Sequence, residues 1–147
     1  MGLVPLNIQM IIELFLAIAF PILWYKALEI KEIKSYFLGC LAFIGLSFFY
    51  LSLTIPSSIF IRVICEEVVK TFHAKNWKQG AASGLGFAMI ENLVWALQTN
   101  VYTITIRGLF TSQMHLLSSA LISTKKILFM ILGLLIHINW NLGVNMI

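Results

Sequence analysis

The chain has 147 residues, of which 60% are hydrophobic and 11% charged, and its formal net charge at pH 7 is +4. The mean hydropathy of +0.93 is far above that of a water-soluble domain, which excludes an ordinary soluble enzyme and indicates a membrane protein. The ten basic residues lie singly or in small groups between apolar runs and form no basic face, which argues against a nucleic-acid partner. We therefore expect an all-α fold: one polytopic integral membrane helical bundle over residues 1–147.

Six apolar runs are long enough to cross a lipid bilayer, which requires about 17–25 residues. Two of them lie in residues 1–56, and the other four form a four-helix core over residues 57–147. The first run has no basic residues before it and is too long for a signal peptide, so we expect it to remain as a helix. The first two predicted spans are about Asn7–Leu28 and Ser35–Ile55, and a turn and helix start at Pro56-Ser57-Ser58 begins a third that continues to about His73. The others are about Gly80–Gln98, Thr105–Ser123, and the residues after Lys126 to the C-terminus.

The distribution of lysine and arginine predicts the topology. Seven of the ten basic residues fall in the connections after the first, third and fifth spans: Lys26, Lys31, Lys34, Lys75, Lys78, Lys125 and Lys126. Positive charge in short loops marks the cytoplasmic side, so both termini are expected to be extracytoplasmic. Arg62 and Arg107 then lie near the outer ends of the third and fifth spans, where long side chains can reach the interface or pair.

The third span carries charged residues that lipid does not tolerate. An ionisable side chain at mid-membrane costs roughly 2.5–3.5 kcal/mol, so such groups must pair or line a polar cavity. Arg62, Glu66 and Lys70 are spaced four residues apart and His73 follows by three, which places them on one helical face, with Glu67 at its edge. An ion-pair ladder that only stabilises the bundle would explain this helix equally well.

The fourth span adds Glu91 and Asn92, four and five residues after Phe87, within otherwise apolar sequence. Its first half, residues 80–86, has small residues at four-residue spacing, a pattern that permits close helix packing in membranes. The small residues should therefore bring the second carboxylate near a partner helix.

The last two spans supply His115 and the pair His137 and Asn141, which lie four residues apart on one face. A single buried histidine is usually an ordinary core residue. Counted at about 1.5 Å per residue from the outer helix ends, however, the polar groups of four helices fall in one layer about 8–15 Å deep. We therefore expect a shared polar cavity rather than scattered residues.

Such a cavity has the groups that hydrolysis requires: a base to activate water, an acid for the leaving group and donors for the oxyanion. Glu66 and Glu67 suit the first role, whereas His137 and Asn141 are oxyanion-hole donors. Cys65 precedes Glu66 by one residue and should face away, and no serine or cysteine has a histidine at recognisable spacing. The pattern therefore favours activated water over a covalent intermediate.

Four motifs follow in order on successive hydrophobic segments: Glu66-Glu67-x-x-Lys70, Phe87-x-x-x-Glu91-Asn92, His115, and His137-x-x-Trp140-Asn141. Together they resemble the PrsW family of intramembrane proteases, over about two thirds of the chain. That family is related to the CAAX-processing and bacteriocin-processing proteases, whose second motif ends in histidine where this chain has Glu91.

The resemblance implies a glutamate-dependent membrane endopeptidase that needs no metal. Its substrate would be a membrane-anchored protein, such as an anti-sigma factor, cut near the outer face of a prokaryotic plasma membrane. In that reading, the three glutamates activate water, His137 and Asn141 stabilise the tetrahedral intermediate, and His115 carries a proton or contacts substrate. The implied catalytic residues are Glu66, Glu67, Glu91, His115, His137 and Asn141, supported by Lys70, Asn92 and Arg107.

Three other functions are compatible with the same residues. Related folds also serve as non-catalytic scaffold or assembly subunits. Carboxylates and two imidazoles could instead hold zinc with an open position, although no HExxH or equivalent spacing is present. An ion or proton carrier would use intramembrane glutamate and histidine too, but transporters usually contain internal repeats, and the sequence has none.

Overall fold

The computed structural model describes residues 7–52 and 58–144, and these ranges form six α-helices without a β-strand. The expected all-α fold is thereby confirmed for the described residues, with one helix for each predicted apolar run. In chain order, the helices are α1 (Ile8–Ala27), α2 (Ile33–Ser52), α3 (Ile59–Thr71), α4 (Trp77–Ala96), α5 (Val101–Ile122) and α6 (Ile127–Val144).

Asparagine side chains set the start of three of these helices. The side chains of Asn7, Asn76 and Asn100 accept hydrogen bonds from backbone N–H groups three residues later, at 2.8, 3.0 and 2.9 Å. Such a cap satisfies one of the free donors of the first turn. It moves the start of α4 to Trp77 and that of α5 to Val101, three and four residues before the apolar runs begin.

The six helices are not all long enough to cross a membrane, as the six predicted spans require. Helix α3 has 13 residues and is about 20 Å long, which is shorter than a hydrocarbon core of about 30 Å. Of the described helices, only α1 is both long and apolar enough to cross a membrane, and α2 and α6 contain shorter apolar stretches over 33–48 and 127–143. The predicted Pro56 turn and the predicted ends of the second and sixth spans lie outside the described residues.

Helix α4 lies at the centre of the bundle, and residues 80–88 are all buried. Its glycines lie directly against neighbouring backbones. A Cβ on Gly84 would collide with the carbonyl of His115 in α5, and one on Gly86 would collide with the carbonyl of Tyr36 in α2. The predicted close packing through small residues is thus confirmed, and the partners of this face are helices of the same chain.

The three lysine-bearing connections meet at one end of the bundle. Gln79, in the first turn of α4, donates to Glu32 of the α1–α2 connection at 3.4 Å. A Cβ on Gly80 would meet Ser123, where α5 ends. The three connections that carry most of the basic residues in the sequence therefore also lie close together in the folded chain.

The bundle is apolar on the outside and carries many polar groups inside. Large apolar side chains on the surface include Ile8, Phe15 and Leu128, which are 78%, 67% and 73% exposed. The buried polar and charged residues are Glu13, Ser35, Glu67, Lys70, Ser83, Asn92, Arg107, Thr111, Ser112, His115, Ser118, Ser119, Ser123 and His137. Because buried polar groups must be paired, most of this interior is a network of hydrogen bonds.

Candidate active site

The face of helix α3 that is buried in the bundle differs from the face that the residue spacing predicted. Val63, Glu67 and Lys70 are buried, whereas Arg62 is exposed and Glu66 is partly buried. Of the expected stripe of Arg62, Glu66 and Lys70, only Lys70 is fully buried. Successive residues differ by about 100° around a helix, so a modest rotation of α3 exchanges Glu66 and Glu67 as the inward carboxylate.

Glu67 is the most heavily hydrogen-bonded carboxylate of the site, and its side chain is only 2% exposed. Its Oε1 atom accepts from Lys70 Nζ at 2.5 Å and from Ser118 Oγ at 2.8 Å, and it lies 2.6 Å from His137 Nδ1. Its Oε2 atom accepts from Ser119 Oγ at 3.0 Å. Four protein side chains contact its two oxygens, and the residue is 1% exposed, so Glu67 joins α3, α5 and α6 and is shielded from solvent.

His115 connects this group to the carboxylate of α4. Its Nδ1 atom lies 2.8 Å from Lys70 Nζ, and its Nε2 atom lies 2.6 Å from Glu91 Oε2. An ammonium group can only donate, so Nδ1 accepts and the ring proton is assigned to Nε2, which donates to Glu91. Glu91 also accepts from Arg107 Nη2 at 3.0 Å, which gives the expected pairing of that arginine.

Glu66 is the carboxylate of this pair that keeps capacity for chemistry. Its Oε2 atom lies 3.3 Å from His137 Nε2, without the alignment of a hydrogen bond, and its side chain is 13% exposed. His137 uses Nδ1 to donate to Glu67, so only Nε2 is left to face Glu66 or a ligand. The short Glu66–His137 distance satisfies the condition that groups sharing one water must lie close together.

Two of the predicted asparagines lie near the site but outside its hydrogen-bonded cluster. Asn92 is fully buried and donates to Ser112 Oγ at 3.4 Å, while its Oδ1 atom has no partner among the described residues. Asn141 is partly buried, one turn after His137 on α6, and the described part of the chain offers it no hydrogen bond. Asn92 thus belongs to the α4–α5 contact, whereas Asn141 has an amide available.

Aromatic rings close the cluster on one side. The Phe87 ring lies 5.1 Å from that of His115, and Lys70 Nζ lies 4.6 Å from the Phe87 centroid. The rings of His115 and His137 meet edge to face at 4.9 Å. The Arg107 guanidinium stacks 4.2 Å from the Trp95 centroid. These contacts hold the imidazoles in fixed orientations.

Three serines that the sequence reasoning missed belong to this site. Ser118 and Ser119 bind Glu67, and Ser83 donates to the carbonyl of Lys70 at 2.8 Å. A signal was present, because Ser118 and Ser119 follow His115 by three and four residues and so share its face of α5. Neither hydroxyl contacts an imidazole, so the arrangement is not that of a serine nucleophile activated by histidine.

Glu67, His115 and His137 could together hold a metal ion, since each offers a ligand atom and these atoms lie within 4.8 Å of one another. Imidazole nitrogen and carboxylate oxygen are zinc ligand types. The ammonium of Lys70 already contacts two of these three residues.

Comparisons of the chain with protein-family models, with curated proteins and with solved structures find no match. The relation to the PrsW family stays a prediction that rests on the four motifs. The function has to be argued from the geometry of the site.

Proposed function

We propose that the chain is an integral membrane endopeptidase that hydrolyses a peptide bond of a membrane-anchored protein with glutamate-activated water, as the PrsW-like motifs imply. The observation that carries this proposal is the largely buried cluster of Glu66, Glu67, Glu91, His115 and His137. Four helices contribute to it, and its members are 2.6–3.3 Å from a neighbour in the cluster. A cluster of this kind is expensive inside an apolar bundle and is typical of functional sites.

The surface of the bundle supports a location in the membrane. Many large apolar side chains are exposed on it, helix α1 meets the criteria for a spanning helix, and the three basic connections lie together at one end. We place that end in the cytoplasm, both termini on the extracytoplasmic side and the protein in a prokaryotic plasma membrane. Helix α3, at 13 residues, then crosses only part of the bilayer.

Glu66 acts as the general base. It is partly exposed and has one loosely aligned neighbour, so a water molecule can approach its carboxylate. The carboxylate takes a proton from this water while the water oxygen attacks the carbonyl carbon of the scissile peptide. Glu67 is less suited to this role, because four protein side chains contact its oxygens and its burial keeps water away.

His137 and Asn141 stabilise the tetrahedral intermediate. A doubly protonated His137 donates from Nδ1 to Glu67 and from Nε2 to the oxyanion, and the Asn141 amide donates from one turn further along α6. The proton held by Glu66 then passes to the peptide nitrogen, the C–N bond breaks, and a carboxylic acid and an amine are released. No metal ion is needed for this sequence of steps.

Glu91 and His115 position the other side of the site. Glu91 binds the Nε2–H group of His115 and the guanidinium of Arg107, which keeps the imidazole in one orientation beside His137. In this arrangement, the groups of α4 and α5 support the reacting pair of α3 and α6 rather than activate water themselves.

The experiment that tests the proposal compares membrane proteins from cells that carry the wild-type chain or the Glu66→Gln variant. An uncut membrane-anchored protein should accumulate in the variant, and its new N-terminus should be found only with the wild type. Glu29→Gln, an exposed glutamate of the α1–α2 connection, is the matched control and should cut normally.

A non-catalytic scaffold would give the opposite result. If Glu66→Gln and wild-type cells have the same cleaved termini, and the purified variant still cuts a substrate that the wild type cuts, Glu66 is not the base. A scaffold role through the small-residue face of α4 is already less favoured, because α2 and α5 of the same chain cover that face.

A further inference from the structure

The ammonium of Lys70 lies among the side chains that would otherwise form a metal site. Its nitrogen is 2.5 Å from Glu67 Oε1 and 2.8 Å from His115 Nδ1, and both of these residues belong to the possible ligand set with His137. Zinc binds nitrogen and oxygen at about 2.0–2.2 Å, and Nδ1 has a single lone pair that accepts from Lys70, so an ion bound to both atoms would have to displace the ammonium. Two cations cannot share that space.

The surroundings of Lys70 match the three N–H bonds of an ammonium group. Two of them have acceptors in Glu67 and His115, and the ring face of Phe87 lies 4.6 Å away on a third side. The residue is fully buried, and Ser83 of α4 binds its backbone carbonyl at 2.8 Å. Lys70 is therefore held from several sides and is not a surface lysine that happens to fold inward.

We infer that Lys70 is the built-in cation of this site and takes the place of a divalent metal ion. Its charge balances Glu67, and its donation to Nδ1 fixes the tautomer of His115, so that Nε2–H points to Glu91. Lys70 is thus a positioning residue, and its importance for cleavage rests on the proposed function. The metal exclusion and the tautomer do not depend on any activity.

Removing the ammonium should open a metal site. Titration of the purified chain in detergent with Co²⁺, a spectroscopic substitute for zinc, tests this directly. The Lys70→Ala variant should bind one Co²⁺ ion per chain with visible absorption bands of a nitrogen and oxygen site. The Lys70→Ala/His115→Ala double variant should bind at least about tenfold more weakly, because it lacks one ligand. The wild type and Lys78→Ala, a matched exposed lysine, should show no such bands.

Two results would overturn the inference. One is stoichiometric Co²⁺ binding by the wild type that is lost in a His115→Ala variant, because the ammonium would then not exclude a metal. The other is a folded Lys70→Ala variant that binds no Co²⁺. Either result is read from absorption spectra and leaves the protease proposal to be judged by its own experiment.

If Lys70→Ala does not fold, the tautomer of His115 in the wild type tests the inference. Nitrogen-15 NMR of histidine-labelled protein should show His115 with a proton on Nε2 and a bare Nδ1, unchanged by added Zn²⁺. A proton on Nδ1 would contradict donation from Lys70 and would refute its role as the cation of the site.

Discussion

Glu67 and Glu66 are adjacent in sequence, but their contacts predict opposite responses to the same substitution. Glu67 accepts from three side chains through Oε1 and Oε2 and lies 2.6 Å from His137, whereas Glu66 has one neighbour at 3.3 Å. Changing Glu67 to Gln removes the charge that balances a fully buried Lys70 and turns one acceptor oxygen into a donor.

The magnitude follows from the burial of the Glu67–Lys70 pair. Breaking a buried ion pair by neutralising one partner costs about 3–5 kcal/mol, because the other charge stays buried without compensation. Glu66→Gln removes at most one poorly aligned contact and should cost no more than about 1 kcal/mol. The two variants should therefore differ by about 2–4 kcal/mol in the free energy of unfolding.

Unfolding in mixed micelles with increasing SDS, followed by far-ultraviolet circular dichroism, measures this difference. The same preparations, assayed below the transition, should show that Glu66→Gln loses about 10²–10⁴-fold in cleavage rate, which is the usual contribution of a general base. Equal stability of the two variants, or a Glu67→Gln variant as stable as the wild type, would refute the assignment of Glu67 as the anchor and Glu66 as the base.

Three further substitutions and one control test the packing and hydrogen bonds around the site by the same unfolding measurement. Gly84→Val should destabilise by about 3 kcal/mol because its side chain would force α4 away from the α5 backbone, whereas Gly45→Val, whose Cβ has nothing within 4 Å, should be nearly neutral. Ser119→Ala should cost about 1.5–3 kcal/mol through the lost hydrogen bond to a buried carboxylate, and an unchanged midpoint would contradict the 3.0 Å contact. Arg107→Gln should cost a similar amount by removing the 3.0 Å contact to Glu91, and it should lower the cleavage rate without abolishing it.

Most of the helical architecture could be predicted from apolar runs, and the errors have local causes. Helices α4 and α5 begin three to four residues earlier than expected, because the cap residues Asn76 and Asn100 and the polar first turns lie outside the apolar runs. Helix α3 runs from Ile59 to Thr71 and ends two residues before the predicted His73. Hydropathy measures composition over a window, whereas a helix end depends on individual side chains.

The site could be predicted only as a set of residues. The residue spacing predicted comparable depths for His115, His137 and the glutamates. It grouped Lys70 with Arg62 and Glu66, whereas Lys70 contacts Glu67, and it did not identify Ser118 and Ser119. Hydroxyl side chains in a membrane-like segment are compatible with many roles. Their function emerges only when a carboxylate from another helix lies within hydrogen-bonding distance.

The sequence by itself determined that this chain is an α-helical bundle and that the charged residues in its apolar segments must find partners inside it. Composition and the spacing of apolar residues carry this information, because neither depends on how the helices pack. Only the tertiary structure decided that Glu67 is enclosed by donors while Glu66 is left beside His137. The reason is geometric: neighbouring residues on a helix point about 100° apart, and the rotation of α3 against α5 and α6 is a property of the packed bundle.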